Sequence, residues 1–214
     1  MSQTAALQAA PRRSPFAGQL VHRLTDLDMN PTAHPPLFDE PVWDFAGLLN
    51  TPAQLKPSQL LFDFTAITNL SWRLVARELM IALLCPAHEQ VVTLSMARRT
   101  PLSLRTCQNR LYFLVPWLQW LTSQGVTSLR QVGQEHCDRY LQHRQATRPA
   151  SASAMHDILA IKDVAHYGEL FTADSYRPGF MPWHGKSAAV VAGFSPRGEN
   201  KTPPVPEDLL PARG

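Results

Sequence analysis

Proline is distributed unevenly along the chain, and this limits where regular structure can form. Of the 19 prolines in 214 residues, eight lie within residues 1–60 and seven within residues 173–214, which leaves four between them. Proline fixes φ and removes a backbone donor, so closely spaced prolines interrupt helices and strands. The pattern predicts irregular arms at both ends of the chain and confines long regular elements to the middle.

Four segments of this middle region have the apolar spacing that is typical of helices. They are NLSWRLVARELMIALLC, TPLSLRTCQNRLYFLVPWLQWLTSQG, GQEHCDRYLQHRQ and SASAMHDILAIKDVAHYGELF. Each has an apolar side that must be buried against a neighbour. We therefore predict a mainly α fold, in which residues 66–172 form a compact bundle of four to five helices flanked by Pro-rich irregular arms.

The ends of the first two helices carry recognisable signals. Asn69 or Ser71 is expected to cap the first, and Thr100 the second. Gly125 follows the second helix as its stop signal. Pro116 lies inside this helix and is expected to kink it or to split it in two.

The two arms differ in what they contain. Residues 1–65 are predicted to be partly disordered at their start and then to drape over the core, with Trp43 and Phe45 as anchors. Residues 173–214 alternate proline, glycine and aromatic residues, which is typical of a linker. The division predicted from sequence is therefore an arm, a helical domain over 66–172, and a linker.

The composition does not indicate a membrane protein or a secreted protein. No run of about 18 apolar residues exists, so no membrane-spanning helix is expected. The first residues lack the apolar core of a signal peptide. Three widely spaced cysteines, Cys85, Cys107 and Cys137, do not suggest a disulfide framework. These features favour a cytoplasmic protein.

Motifs of catalysis and of metal or cofactor binding are also missing from the sequence. There is no CxxC pair and no HExxH motif, and Cys85 with His88 is better explained as scattered surface and core residues. Glycine-rich phosphate loops and the GxSxG motif are absent as well. No cofactor, no metal and no active site are therefore predicted within these 214 residues.

Charge is concentrated in one part of the chain. The whole chain carries a formal charge of +3, but residues 98–148 contain eight arginines and two acidic residues. Arginine forks suit phosphate, and a basic segment is typical of nucleic-acid binding. The alternative for each single arginine is a solvated side chain with no ligand.

The order of the sequence elements adds a resemblance to a known family. The stretch LVPWLQWLTSQGVTSLRQVGQEHCDRYLQHR contains an aromatic-WL element, a Gly turn, a TSL step and a short helix with Tyr-Leu. This order resembles the SAM-like core-binding domain of tyrosine-type site-specific recombinases, the phage integrase family. The later ENKTPPVPEDLL resembles the start of the catalytic domain in integrase-like proteins of high-GC bacteria.

The resemblance implies DNA binding without catalysis. The family's catalytic Arg, Lys, His-x-x-Arg and Tyr residues belong to a further domain that no segment here matches, so no catalytic role is assigned and the chain is not expected to be an enzyme on its own. The bundle would form half of a clamp around duplex DNA, in DNA integration and recombination by a mobile element. The implied partners are double-stranded DNA and other recombinase protomers on it, at the bacterial nucleoid.

Candidate DNA contacts follow from the position of the basic residues. Those near the start of the second helix also benefit from the positive end of its dipole. The predicted contacts are Arg98, Arg99, Arg105, Arg110, Arg148 and Lys162. The competing hypothesis is a helical protein-interaction or regulatory module, a remnant of an integrase, which the modest net charge and the Pro-rich arms favour.

Overall fold

The protein is mainly helical, as predicted from the sequence. A computed structural model describes residues 13–25, 27–85, 100–147 and 151–194. The helices there are α1 (Val21–Leu24), α2 (Leu70–Leu84), α3 (Leu104–Ser123), α4 (Gln134–Thr147), α5 (Ser151–His166) and α6 (Ala188–Val191). Two short strands, β1 (Val42–Asp44) and β2 (Leu61–Asp63), pair antiparallel, with Trp43 opposite Phe62. Among the described residues, no helix is both long and apolar enough to cross a membrane.

The observed helix ends agree with the sequence in some places and differ in others. Asn69 caps α2, because its side chain accepts hydrogen bonds from the amides of Ser71 and Trp72. The expected cap at Thr100 is wrong, since α3 begins at Leu104 and Ser103 is its N-cap. The amide of residue 102 instead donates to the carbonyl of Leu83, which holds the chain outside the helix up to that point.

Pro116 does not split α3, which continues as one element of 20 residues. A proline removes the bond to the carbonyl four residues earlier, here that of Tyr112. The loss of this one bond does not end the helix. Gly125, with φ of 75°, lies in the left-handed region directly after the helix and ends it as predicted.

Helix α3 lies at the centre of the helical part and packs against α2, α4 and α5. Its Trp117 is fully buried and meets the ring of Tyr140 from α4 at 5.0 Å between centroids. The inner face of α4 agrees with the sequence pattern, because Cys137, Tyr140 and Leu141 are all buried. The aromatic residues of α3 therefore contribute to the core.

The N-terminal arm is part of this core. Trp43 and Phe45, expected as anchors, are fully buried and lie in one hydrophobic cluster with residues of the helices. Trp43 meets the ring of Phe64 edge-on at 4.9 Å. Arg77 of α2 donates hydrogen bonds to the carbonyls of residues 38 and 39 in the arm. Packing is thus continuous across residue 65.

Packing is also continuous across residue 172. Thr172 donates to the carboxylate of Glu78 on α2 through both its amide and its hydroxyl. Asp174 accepts from the indole Nε1 of Trp72 at 2.8 Å. Tyr176 is buried and accepts from the indole of Trp117 at 3.0 Å. The first part of the predicted linker therefore satisfies polar groups of the helical core.

We predict that Asp174→Ala lowers the free energy of unfolding by about 3 kcal/mol, because donors from Trp72, Ser128 and Leu129 lose their acceptor. Urea denaturation followed by circular dichroism measures the change. Asp28→Ala, at an exposed aspartate of the arm, is the control and should leave the midpoint unchanged. Equal stability of the two variants would contradict a structural role for the segment after residue 172.

Candidate nucleic-acid interface

Helices α3 and α5 meet near their N-terminal ends. Asn109 and His156 each lie in the second turn of their helix, and Asn109 Nδ2 is 3.4 Å from His156 Nδ1. The imidazole also stacks on Phe113, with 5.2 Å between ring centroids and 24° between the planes. With a rise of about 1.5 Å per residue, each helix starts about 8 Å along its axis from this contact. The contact therefore lies about one and a half turns from the start of each helix.

The side of α3 that faces solvent near this contact is polar. Arg105 is exposed, and Gln108 and Asn109 are partly exposed. Tyr112, one turn further on, keeps 47% of its surface accessible. These residues follow the helical spacing of one face, whereas Leu104, Leu111 and Leu114 turn inward. The exposed face offers one guanidinium, two amides and one phenol to a ligand.

Arg105 is one of six predicted contacts, and three of the others lie outside the described residues. These three are Arg98, Arg99 and Arg148. In the sequence, Arg98 and Arg99 shortly precede α3, and Arg148 precedes the first residue of α5 by three positions. The predicted contacts of this group thus flank the same two helix starts.

Arg110 differs from the prediction, because the structure places it inside the protein. Its Nε lies 2.9 Å from Oδ2 of Asp163 on α5, and the two side chains are only 14% and 8% exposed. A buried carboxylate needs such a partner, since its charge has lost most of its hydration. Arg110 therefore joins α3 to α5 and does not extend from the surface beside Arg105.

Lys162 also has a structural role within the protein. Its ammonium group donates hydrogen bonds to the carbonyls of Trp183 and Lys186. Three donors on a flexible stem suit this role, because one ammonium group can satisfy several carbonyls of a loop. Lys162 thus holds the segment before α6 against α5.

A second buried ion pair links α4 to α5. Arg144 Nε lies 3.2 Å from both carboxylate oxygens of Asp157, and the hydroxyl of Tyr140 donates to the same carboxylate. Burial, followed by the charge of Asp157, raises the pKa of Tyr140. Tyr140 is therefore a core residue with a satisfied polar tip.

Sequence reasoning missed Asn109, Tyr112 and His156. Asn109 and Tyr112 follow Arg105 at intervals of four and seven residues, which is the available signal for a shared helix face. His156 gave no such signal, because 47 residues separate it from Asn109. Burial lowers the pKa of His156 and the nearby Arg110 lowers it further, while Asp157 opposes this shift. The imidazole is therefore neutral at pH 7.

Chemistry other than binding has little support in the described residues. They contain no group of three or more side chains that could hold a metal ion. Burial raises the pKa of the Cys137 thiol to about 12 and also raises that of Cys107, so neither is a reactive thiolate. Comparisons with protein-family models, curated proteins and solved structures find no match to this chain.

We predict that Arg110→Glu lowers the free energy of unfolding by about 3–5 kcal/mol, because Asp163 would lose its partner and face a second carboxylate. Chemical denaturation provides the measurement. The matched control is the double variant Arg110→Met with Asp163→Leu, which removes both charges and should unfold close to the wild-type midpoint. A fully stable Arg110→Glu variant would mean that Arg110 is not internal.

Proposed function

We propose that this chain is the DNA-binding N-terminal part of an integrase-like site-specific recombinase and clamps duplex DNA near the exchange site. Helices α2 to α5 would form its SAM-like core-binding bundle. The surface at the starts of α3 and α5 would contact the DNA. The catalytic residues of such a recombinase would belong to a further domain.

The single observation that carries the proposal is the contact between Asn109 and His156. It joins the second turns of α3 and α5, and in the sequence Arg98 and Arg99 precede the first of these helices and Arg148 precedes the second. Helix N-termini carry partial positive charge and unpaired amides, both of which favour phosphate. The basic side chains that precede each helix, together with the helix start itself, would then contact the DNA backbone.

The order of the structural elements supports the family resemblance. The aromatic-WL element lies in α3, and Gly125 ends that helix. The TSL step leads into a short 3-10 helix, Leu129–Gln131, which Ser128 caps. The Tyr-Leu pair of α4 is buried against the core. These four features thus lie in α3 or directly after it in the chain, whereas ENKTPPVPEDLL lies outside the described residues.

Internal pairing limits which arginines can bind DNA. Arg110 and Arg144 neutralise Asp163 and Asp157 inside the protein. Arg105 stays exposed at the start of α3, and phosphate contacts from such residues would set the register of the protein on the duplex. The proposed phosphate contacts are therefore Arg98, Arg99, Arg105 and Arg148.

One observation favours a protein-interaction module as the second candidate. A groove of about 350 Å³ runs between β2 and α3, and its lining includes exposed Leu61 and Tyr112 together with Val115 and Pro116. Apolar grooves of this kind accept side chains of partner proteins. The groove adjoins the polar face of α3, so DNA retention decides between the two candidates.

We expect the full chain to bind a labelled duplex of about 30 base pairs with strong salt dependence. The four proposed phosphate contacts give a slope of about −3.6 for log affinity against log salt. Fluorescence anisotropy between about 20 and about 200 mM salt measures this slope. Arg105→Glu should weaken binding and reduce the slope by about 1.

Arg23→Glu is the matched control for that variant. Arg23 is exposed on α1, and its substitution changes the net charge by the same amount. The control should bind DNA like the wild type. Absence of binding at low salt, or equal losses in the two variants, would contradict the proposal and favour the interaction module.

A further inference from the structure

The geometry of the α3–α5 contact assigns a more specific task to its polar pair. We propose that Asn109 is a base-reading residue for adenine in the major groove, and that His156 is the positioning residue that fixes the direction of its amide. This inference rests on the proposed DNA-binding function. Asn109 is partly exposed beside Arg105, and His156 contacts it from α5.

The hydrogen-bonding capacity of Asn109 fits this task. Its amide nitrogen carries two protons, and the contact with His156 Nδ1 uses one of them. One N–H and the carbonyl oxygen are then left for a ligand. Adenine presents one acceptor, N7, and one donor, the N6 amino group, in the major groove. An asparagine that offers one donor and one acceptor side by side is the matching partner.

His156 can hold the amide in this direction because its imidazole is an acceptor at Nδ1. A neutral imidazole with its proton on Nε2 has a lone pair there. If the amide turned around, the carbonyl oxygen of Asn109 would face that lone pair, which is unfavourable. The stack on Phe113 keeps the imidazole plane fixed. The amide direction is therefore set before DNA arrives.

The charges around His156 preserve the neutral form. Arg110 approaches from α3 and Asp157 is the next residue on α5. Arg110 is paired with Asp163, and Asp157 with Arg144 and Tyr140. Arg110 is a cation and disfavours a second positive charge nearby, and Asp157 is already paired, so it does not supply an unpaired negative charge that would stabilise an imidazolium. A protonated His156 would present a donor to the amide nitrogen and reverse the direction of Asn109.

Selection from a pool of randomised duplexes tests this inference with the full chain. The wild type should enrich adenine at one position of the selected sequences. Asn109→Ala should reduce that enrichment about tenfold, because one bidentate base contact is lost. The salt slope of binding should stay unchanged, since no phosphate contact is removed. Gln142→Ala, at an exposed amide on α4, is the control and should keep the enrichment.

Two variants of His156 test whether it positions the amide of Asn109 or only stabilises the fold. His156→Phe keeps an aromatic ring on Phe113 but removes the acceptor, so it should lose the adenine preference. His156→Gln restores an acceptor oxygen and should keep most of the preference. A structural role alone would not make the base preference depend on the acceptor.

The outcomes also distinguish this inference from the proposed DNA-binding function on which it rests. An Asn109→Ala variant that binds DNA and selects adenine like the wild type would overturn the base-reading role and leave the DNA-binding proposal intact. Equal preference in His156→Phe and wild type would overturn the positioning role. A wild-type chain that retains no duplex at low salt would overturn both proposals together.

Discussion

Two aspartates on the inner side of α5 fix how the neighbouring helices lie against it. Asp163 pairs with Arg110 of α3, and Asp157 pairs with Arg144 of α4. A buried carboxylate without its partner costs several kcal/mol, so only one arrangement of the three helices satisfies both pairs. This arrangement also determines which arginines are internal and which are left for a ligand, so the ion pairs define the proposed DNA surface.

Tryptophan side chains connect the proline-rich ends of the chain to these helices. The indole N–H of Trp43 donates to the carbonyl of Phe38 within the arm, and that of Trp72 donates to Asp174. The indoles of Trp117 and Trp183 donate to Tyr176 and Asp138. A buried indole needs a partner for its N–H, and here irregular segments provide several of those partners. Segments without regular structure can therefore belong to the core.

The sequence predicted local features better than long-range ones. The cap at Asn69, the stop at Gly125 and the buried face of α4 all depend on residues a few positions apart, and all three agree with the structure. The predicted cap at Thr100 was wrong because Ser103, three residues later, caps the helix. Its hydroxyl oxygen accepts a hydrogen bond from an amide in the first turn of α3. Both residue types cap helices well, and only tertiary contacts decide between them.

The candidate site required information that no local pattern contains. In the sequence, nothing distinguishes Arg110 from the other arginines of the basic segment. Its partner Asp163 is 53 positions away in the chain. The pairing of Asn109 with His156 likewise spans 47 positions. Charge counting pointed to one basic region of the chain, but it could not separate internal arginines from exposed ones.

An NMR titration of the isotope-labelled chain with duplex DNA at low salt tests the central claim most directly. We expect backbone amide shifts to concentrate in the first two turns of α3, around Arg105 and Asn109, and in the first two turns of α5, up to His156. Shifts centred on the groove between β2 and α3, or no shifts at all, would contradict it.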